Sequence, residues 1–113
     1  MKMPRLADLL TRYFSEHLRQ QRNVSPHTIA AYGDTFRLLL RFFKQTYHTL
    51  PATLELRDLN ATRVLAFLTH LEVSRHNGIP SRNARLAAIR AFVHYNEDGL
   101  GPDLPEGTRR ILA

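Results

Sequence analysis

A chain of 113 residues with 43% hydrophobic content, six Phe and four Tyr has the size and make-up of one globular domain with a modest core. It contains no cysteine, which excludes disulfides, cysteine zinc sites and thiol catalysis together. Lys and Arg number 16 against 10 acids, for a net charge of +6, and fourteen of the sixteen are Arg, whose planar fork suits phosphate. A basic surface facing nucleic acid is therefore expected. No run of 18 apolar residues occurs, so no membrane span is expected. The opening "MKMPRLADLL" carries a charge within its short apolar stretch and lacks a small-residue cleavage site, which argues against a signal peptide. A cytoplasmic location is the expectation.

In chain order, Leu6, Leu9, Leu10, Tyr13, Phe14 and Leu18 recur with helical spacing and predict a first helix, ended by Asn23. Ser25 and Pro26 then read as the cap and first residue of a second helix. Its core stripe is Ile29, Tyr32, Phe36, Leu39, Leu40 and Phe43, and it runs to about Tyr47. Gly33 in its middle costs about 1 kcal/mol relative to Ala, which suggests a close approach to the backbone there. Residues 48–60 break the period at Pro51 and read as a connector.

Asn60 is the expected cap of a third helix, with Val64, Phe67, Leu68 and Leu71 facing inward. Asn77-Gly78 supplies turn chemistry, Pro80 bars continuation, and Ser81 is the expected cap of a fourth helix. Leu86, Ile89 and Val93 line one side of that helix, with Ala88, Phe92 and Tyr95 beside them. The remainder, "EDGLGPDLPEGTRRILA", reads as a Gly/Pro-broken tail that can hold a short helix at 105–113. The expectation is an all-α bundle of four main helices.

The second and fourth helices share an oddity at their starts. A helix N-terminus exposes unpaired N–H groups and about half a positive charge, so Asp and Glu are the stabilising residues there. One start instead holds His27 and Thr28, and the other holds Arg82, Asn83 and Arg85. No acid occurs from His17 to Gly33 or from Val73 to Asn96. An external anion such as a DNA phosphate would make both ends favourable. The bland alternative is a solvated surface.

Catalytic and metal constellations are poor. No HExxH motif occurs, and His70 and His76 lie six residues apart, on different helix faces. There is no glycine-rich phosphate loop, Asp8, Asp34 and Asp58 are isolated, and Tyr13, Tyr32 and Tyr47 sit at or near core positions. No cofactor and no metal is expected.

Three stretches carry a resemblance: "LRQQRNVSPHTIAAYGDTFRLLLRFF", "DLNATRVLAFLTHL" and "IPSRNARLAAIRAFVHY". In order and spacing they resemble the N-terminal core-binding domain of tyrosine recombinases of the phage integrase family. The family pattern in the second helix is met by Ser25, Thr28, Tyr32, Phe36 or Leu40, and Phe43. The late-helix pattern is met by Ser81, Arg85, Ala88, Ile89, Arg90, Phe92 and Val93. The resemblance implies a SAM-like bundle of four to five helices forming half of a C-shaped clamp on double-stranded DNA, its second and fourth helices meeting the major groove and flanking phosphates. Ser25, His27, Thr28, Ser81, Arg82, Asn83, Arg85 and Arg90 are then the expected DNA-binding residues.

In that family catalysis belongs to a separate C-terminal domain with Arg, Lys, H-x-x-R and a Tyr that forms a 3′-phosphotyrosyl link. That set is not met here, so the chain is expected to be non-catalytic by itself. Residues 1–98 would be the core-binding domain and 99–113 a linker towards the absent catalytic domain. Expected partners are duplex DNA, that catalytic domain and other recombinase protomers on DNA, with no membrane. Two rivals stand beside this reading. One is a helical protein–protein interaction domain that oligomerises without nucleic acid. The other is an RNA-binding helical protein, disfavoured because exposed aromatics for base stacking are not evident.

Overall fold

The computed structural model describes residues 3–21, 23–76 and 78–113. It is all-α, as expected, and among the described residues the bridge between Arg5 and Glu55 is the one strand-like pairing. The chain forms two compact units, Met1–Leu56 and Arg57–Ala113.

In the first unit, α1 (Leu6–Arg12) runs straight into a π-helical stretch, Tyr13–Leu18. At that junction the hydroxyls of Thr11 and Ser15 donate to the carbonyls of Ala7 and Thr11, 3.0 and 2.6 Å away. Such back-bonding loosens and bends a helix. The expected inward stripe holds: Leu6, Leu9, Leu10, Tyr13 and Leu18 are buried, and Phe14 is half-buried with its ring edge-on to Phe36, centroids 6.0 Å apart. The α1 start is fastened by two backbone bonds, Leu6 N–H to Leu54 O and Leu56 N–H to Pro4 O, both 2.9 Å.

α2 (Pro26–Tyr47) buries Thr35, Phe36, Leu39, Phe42 and Phe43, a stripe at i, i+1, i+4, i+7 and i+8. Phe42 thus belongs to the core, whereas Ile29, Tyr32 and Leu40, expected there, are only half-buried. What lies close to Gly33 is Arg37 of the same helix, whose guanidinium is 3.5 Å from where a Cβ would stand.

The connector is more than a linker. Leu54, Leu56 and Leu59 are all fully buried, Leu54 following a short turn at Pro51–Thr53 and Leu56 opening another at Leu56–Asp58.

In the second unit, α3 (Ala61–Ser74) is capped as expected, with Asn60 Oδ1 accepting from Arg63 N–H at 3.0 Å, and Val64, Phe67, Leu68 and Leu71 are buried. α4 (Ile79–Leu100) starts earlier than expected: Gly78 is its N-cap, without a side-chain cap bond, and Ser81 lies inside the first turn rather than capping it. Pro80 does not bar this start, because the first-turn N–H groups have no intrahelical acceptor to lose and the fixed proline φ suits a helix. Arg82 N–H makes the opening bond to Gly78 O at 3.1 Å. The Asn77 half of the expected turn lies outside the described residues.

α4 buries Ala88, Ile89, Phe92, Val93 and Asn96, with Leu86 and Tyr95 half-buried. Asn96 is satisfied by donating to Phe92 O at 2.9 Å. The helix ends at Gly101, whose φ of +54° is a conformation that favours glycine. The Gly/Pro-broken tail then forms a turn at Gly101–Asp103, and its expected short helix at 105–113 is present as α5 (Glu106–Arg109) followed by a last turn, Arg110–Leu112. They pack on α3 and α4 and bury Leu104, Thr108 and Ile111. Gly107 lets α5 approach closely, since a Cβ there would stand 3.1 Å from Asn60 Cβ.

Candidate nucleic-acid interface

The start of α2 is built as an exposed polar turn. Ser25 is extended (φ −72°, ψ 155°), and its hydroxyl oxygen accepts from Thr28 N–H at 3.1 Å. The same oxygen lies 3.1 Å from Thr28 Oγ1, so serine and threonine hydroxyls form one small cluster over the first turn. Ser25 and His27 are exposed and Thr28 is half-buried. No acid sits in this first turn. Ser25→Ala is expected to cost about 1 kcal/mol through loss of the cap, readable as a lower thermal midpoint.

The start of α4 differs. It too has no acid in its first turn, but Arg82 Nη1 meets Glu72 Oε1 at 2.9 Å, each side chain about a third exposed (34% and 37%). Glu72 lies ten positions back in sequence, on α3. The acid-free window from Val73 to Asn96 thus stops one residue short of the carboxylate that the α3–α4 turn folds onto the arginine. At that exposure the pair is worth under about 1 kcal/mol. Ser81 and Asn83 are exposed and Arg85 is half-buried.

Arg90 has a structural task. Its Nε donates to Ile111 O at 3.0 Å and its Nη2 to Ala113 O at 3.2 Å, collecting carbonyls at the end of the last turn. Arg109 is engaged likewise, with Glu97 Oε2 at 3.0 Å and Gly101 O at 2.8 Å. Ser25, His27 and Thr28 thus form one group in the first unit. Ser81, Arg82, Asn83 and Arg85 form another on α4 in the second unit, and Arg90 is turned to the last turn of that unit. Sequence reasoning missed Glu72; the signal that could have found it is the hairpin geometry of two helices joined by a short turn.

Among the described residues, no group of three or more His, Asp or Glu side chains could hold a metal ion, and no helix is long and apolar enough to cross a membrane.

This arrangement, a helical chain with polar, acid-free helix starts, coincides with a family match. The model described as the phage integrase N-terminal SAM-like domain matches residues 11–98, and the chain belongs to that family. It is 48% identical over 90 residues to one protein of Sinorhizobium fredii named as a candidate integrase/recombinase, y4rD, covering 80% of this chain and 32% of the relative. To a second such protein of the same organism, y4rC, it is 43% identical over 108 residues, covering 96% and 32%. To the tyrosine recombinase XerC of Pseudomonas fluorescens it is 34% identical over 108 residues, covering 87% and 33%. The chain spans about a third of the length of these curated relatives. No solved structure matches it significantly. The matched family is an N-terminal domain distinct from the catalytic domain of tyrosine recombinases, and this chain is accordingly non-catalytic by itself.

Proposed function

We propose that the chain binds double-stranded DNA as the N-terminal half of the clamp of a site-specific tyrosine recombinase. The observation that carries this reading is the first turn of α2, an acid-free helix start where Ser25 and His27 are exposed and the Ser25 and Thr28 hydroxyls lie together, the N–H groups of Thr28 and Ile29 being taken by Ser25. Helix dipole and donors there favour a phosphate oxygen. Strand exchange would fall to a C-terminal catalytic domain of the same parent chain, acting in the cytoplasm with further protomers on the DNA.

Binding should fall steeply with salt, because each neutralised phosphate releases counterions. Glu72→Gln, which frees Arg82, is expected to steepen the log–log slope by about 0.9 if Arg82 then takes a phosphate. Fluorescence anisotropy on a labelled duplex across salt concentrations measures both. Salt-independent or absent binding would end the DNA reading.

A self-association role is favoured by one observation: Val73 and Ile79, either side of the α3–α4 turn, are 72% and 73% exposed. It predicts concentration-dependent oligomers without nucleic acid in analytical ultracentrifugation.

A further inference from the structure

We infer that the groove between α2 and the helix before it docks a short amphipathic helix of another protein, through apolar anchors on its floor and one carboxylate at Arg37. The inference stands apart from the duplex-binding reading, because the chemistry of the groove is not that of a phosphate site. It lies within the first unit and has a volume of about 330 Å³. Leu10, Phe14, Phe36 and Leu40 make its apolar walls. Leu10 and Phe36 are buried, whereas Phe14 and Leu40 are left half-buried. A duplex backbone of sugars and phosphates has little with which to cover such walls. Leu10 and Phe14 also flank the junction where α1 turns π-helical, an irregularity frequent at functional sites.

Gly33 lines the same groove, and nothing inside the chain calls for a glycine there. Its φ is not positive, unlike that of Gly101. The three nearest atoms that a Cβ would meet all belong to the movable guanidinium of Arg37, at 3.5–4.0 Å, an ordinary contact distance. Glycine in mid-helix weakens α2 relative to alanine, and neither backbone conformation nor internal packing offsets that cost. What the missing side chain does is keep the floor of the groove open to an incoming one.

The polar groups at the mouth select the partner's charge. The Thr11 hydroxyl donates to Ala7 O at 3.0 Å, and the remaining one, the exposed Arg37 guanidinium, lies back over Gly33. No carboxylate lines the groove. Asp34, exposed at i−3 of Arg37, is the acid placed to compete for that guanidinium, and none follows it from Thr35 to Leu54. Small-molecule sites enclose most of their ligand, whereas this groove is open along its mouth and suits a helix laid into it. From Gly33 to Leu40 it follows two turns of α2, about 10 Å of axis, which accommodates two anchors at i and i+4.

The test titrates the whole chain, without DNA, into a short fluorescein-labelled helical peptide on an alanine and glutamine background. The peptide carries Leu and Phe anchors at i and i+4 with Glu beside the second, and its twin has Gln in place of that Glu. Anisotropy should show both binding, the Glu peptide more tightly. Arg37→Gln is expected to weaken the Glu peptide about fivefold and to leave the Gln peptide unchanged. Asp34→Asn should tighten the Glu peptide alone. Gly33→Leu fills the floor, so it should abolish both interactions while raising the thermal midpoint, since leucine is the better helix former. That variant separates a blocked groove from a damaged fold. No anisotropy change with either wild-type titration, equal effects of Arg37→Gln on the two peptides, or wild-type binding by Gly33→Leu would each overturn the inference. Dimerisation of the chain that Gly33→Leu abolishes would give the groove to a second copy and overturn it too.

Discussion

Ile111→Ala is expected to destabilise the chain by about 2–5 kcal/mol, the usual cost of emptying a buried isoleucine site. Ile111 is only 4% exposed, although it is the third residue from the end of the sequence given. Its backbone carbonyl is held by Arg90 Nε at 3.0 Å, and its turn packs on α3 and α4 beside Leu104 and Thr108, which are equally buried. A total stability of about 5–15 kcal/mol makes such a loss a large fraction of the whole. Arg110→Ala, one residue earlier, is the matched control. Its ion pair with Glu106 is long, 3.5 Å, with both side chains about 70% exposed (69% and 71%), so its removal should stay within about 0.5 kcal/mol. Urea unfolding of both variants gives the comparison. A loss at Ile111 as small as that at Arg110 would mean that the last turn adds little to the core.

The same residues explain what the sequence could and could not disclose. Helical stripes were legible wherever the apolar spacing ran uninterrupted: all four expected inward residues of α3 are buried, as are five of six in the first helix. Caps were legible where a polar side chain has one local partner, as at Ser25 and Asn60. The start of α4 was not, because proline reads as a breaker unless it is known to fall in a first turn, as Pro80 does. Leu54, Leu56, Leu59, Leu104 and Ile111 lie in stretches punctuated by proline and glycine, where periodicity has no length over which to speak, yet each fills core space. The candidate site suffered most from distance along the chain. Counting acids in sequence made Arg82 a lone cation, and the turn between α3 and α4 supplied Glu72. Arg90, placed on DNA by resemblance, is occupied by carbonyls that only the folded last turn presents.

Alkaline titration should expose Tyr13 as the second large effect. This tyrosine is 2% exposed, its ring stacked on His17 with centroids 5.5 Å apart and edge-on to Phe14 at 5.4 Å. Burial, and secondarily the nearby Tyr32, pushes its pKa up from 10.0 to about 12. A raised folded-state value means that the folded protein holds its proton where the unfolded chain has released it. The stabilisation is therefore fully present below pH 10 and is lost as pH rises from 10 towards 12. Two units at about 1.4 kcal/mol each put the loss at about 3 kcal/mol across that window. Tyr13→Phe keeps the ring and deletes the ionisation, so its stability curve should be flatter than wild type by that amount between pH 10 and 12. Chemical denaturation at half-unit pH steps measures the difference, and parallel curves for the two proteins would refute the buried-phenol account. The burial also bears on chemistry. A nucleophilic tyrosine must reach a phosphorus atom and give up its proton readily, and Tyr13 is enclosed and holds its proton more tightly than a free phenol. Its place is in the packing of the π-helical stretch that continues α1.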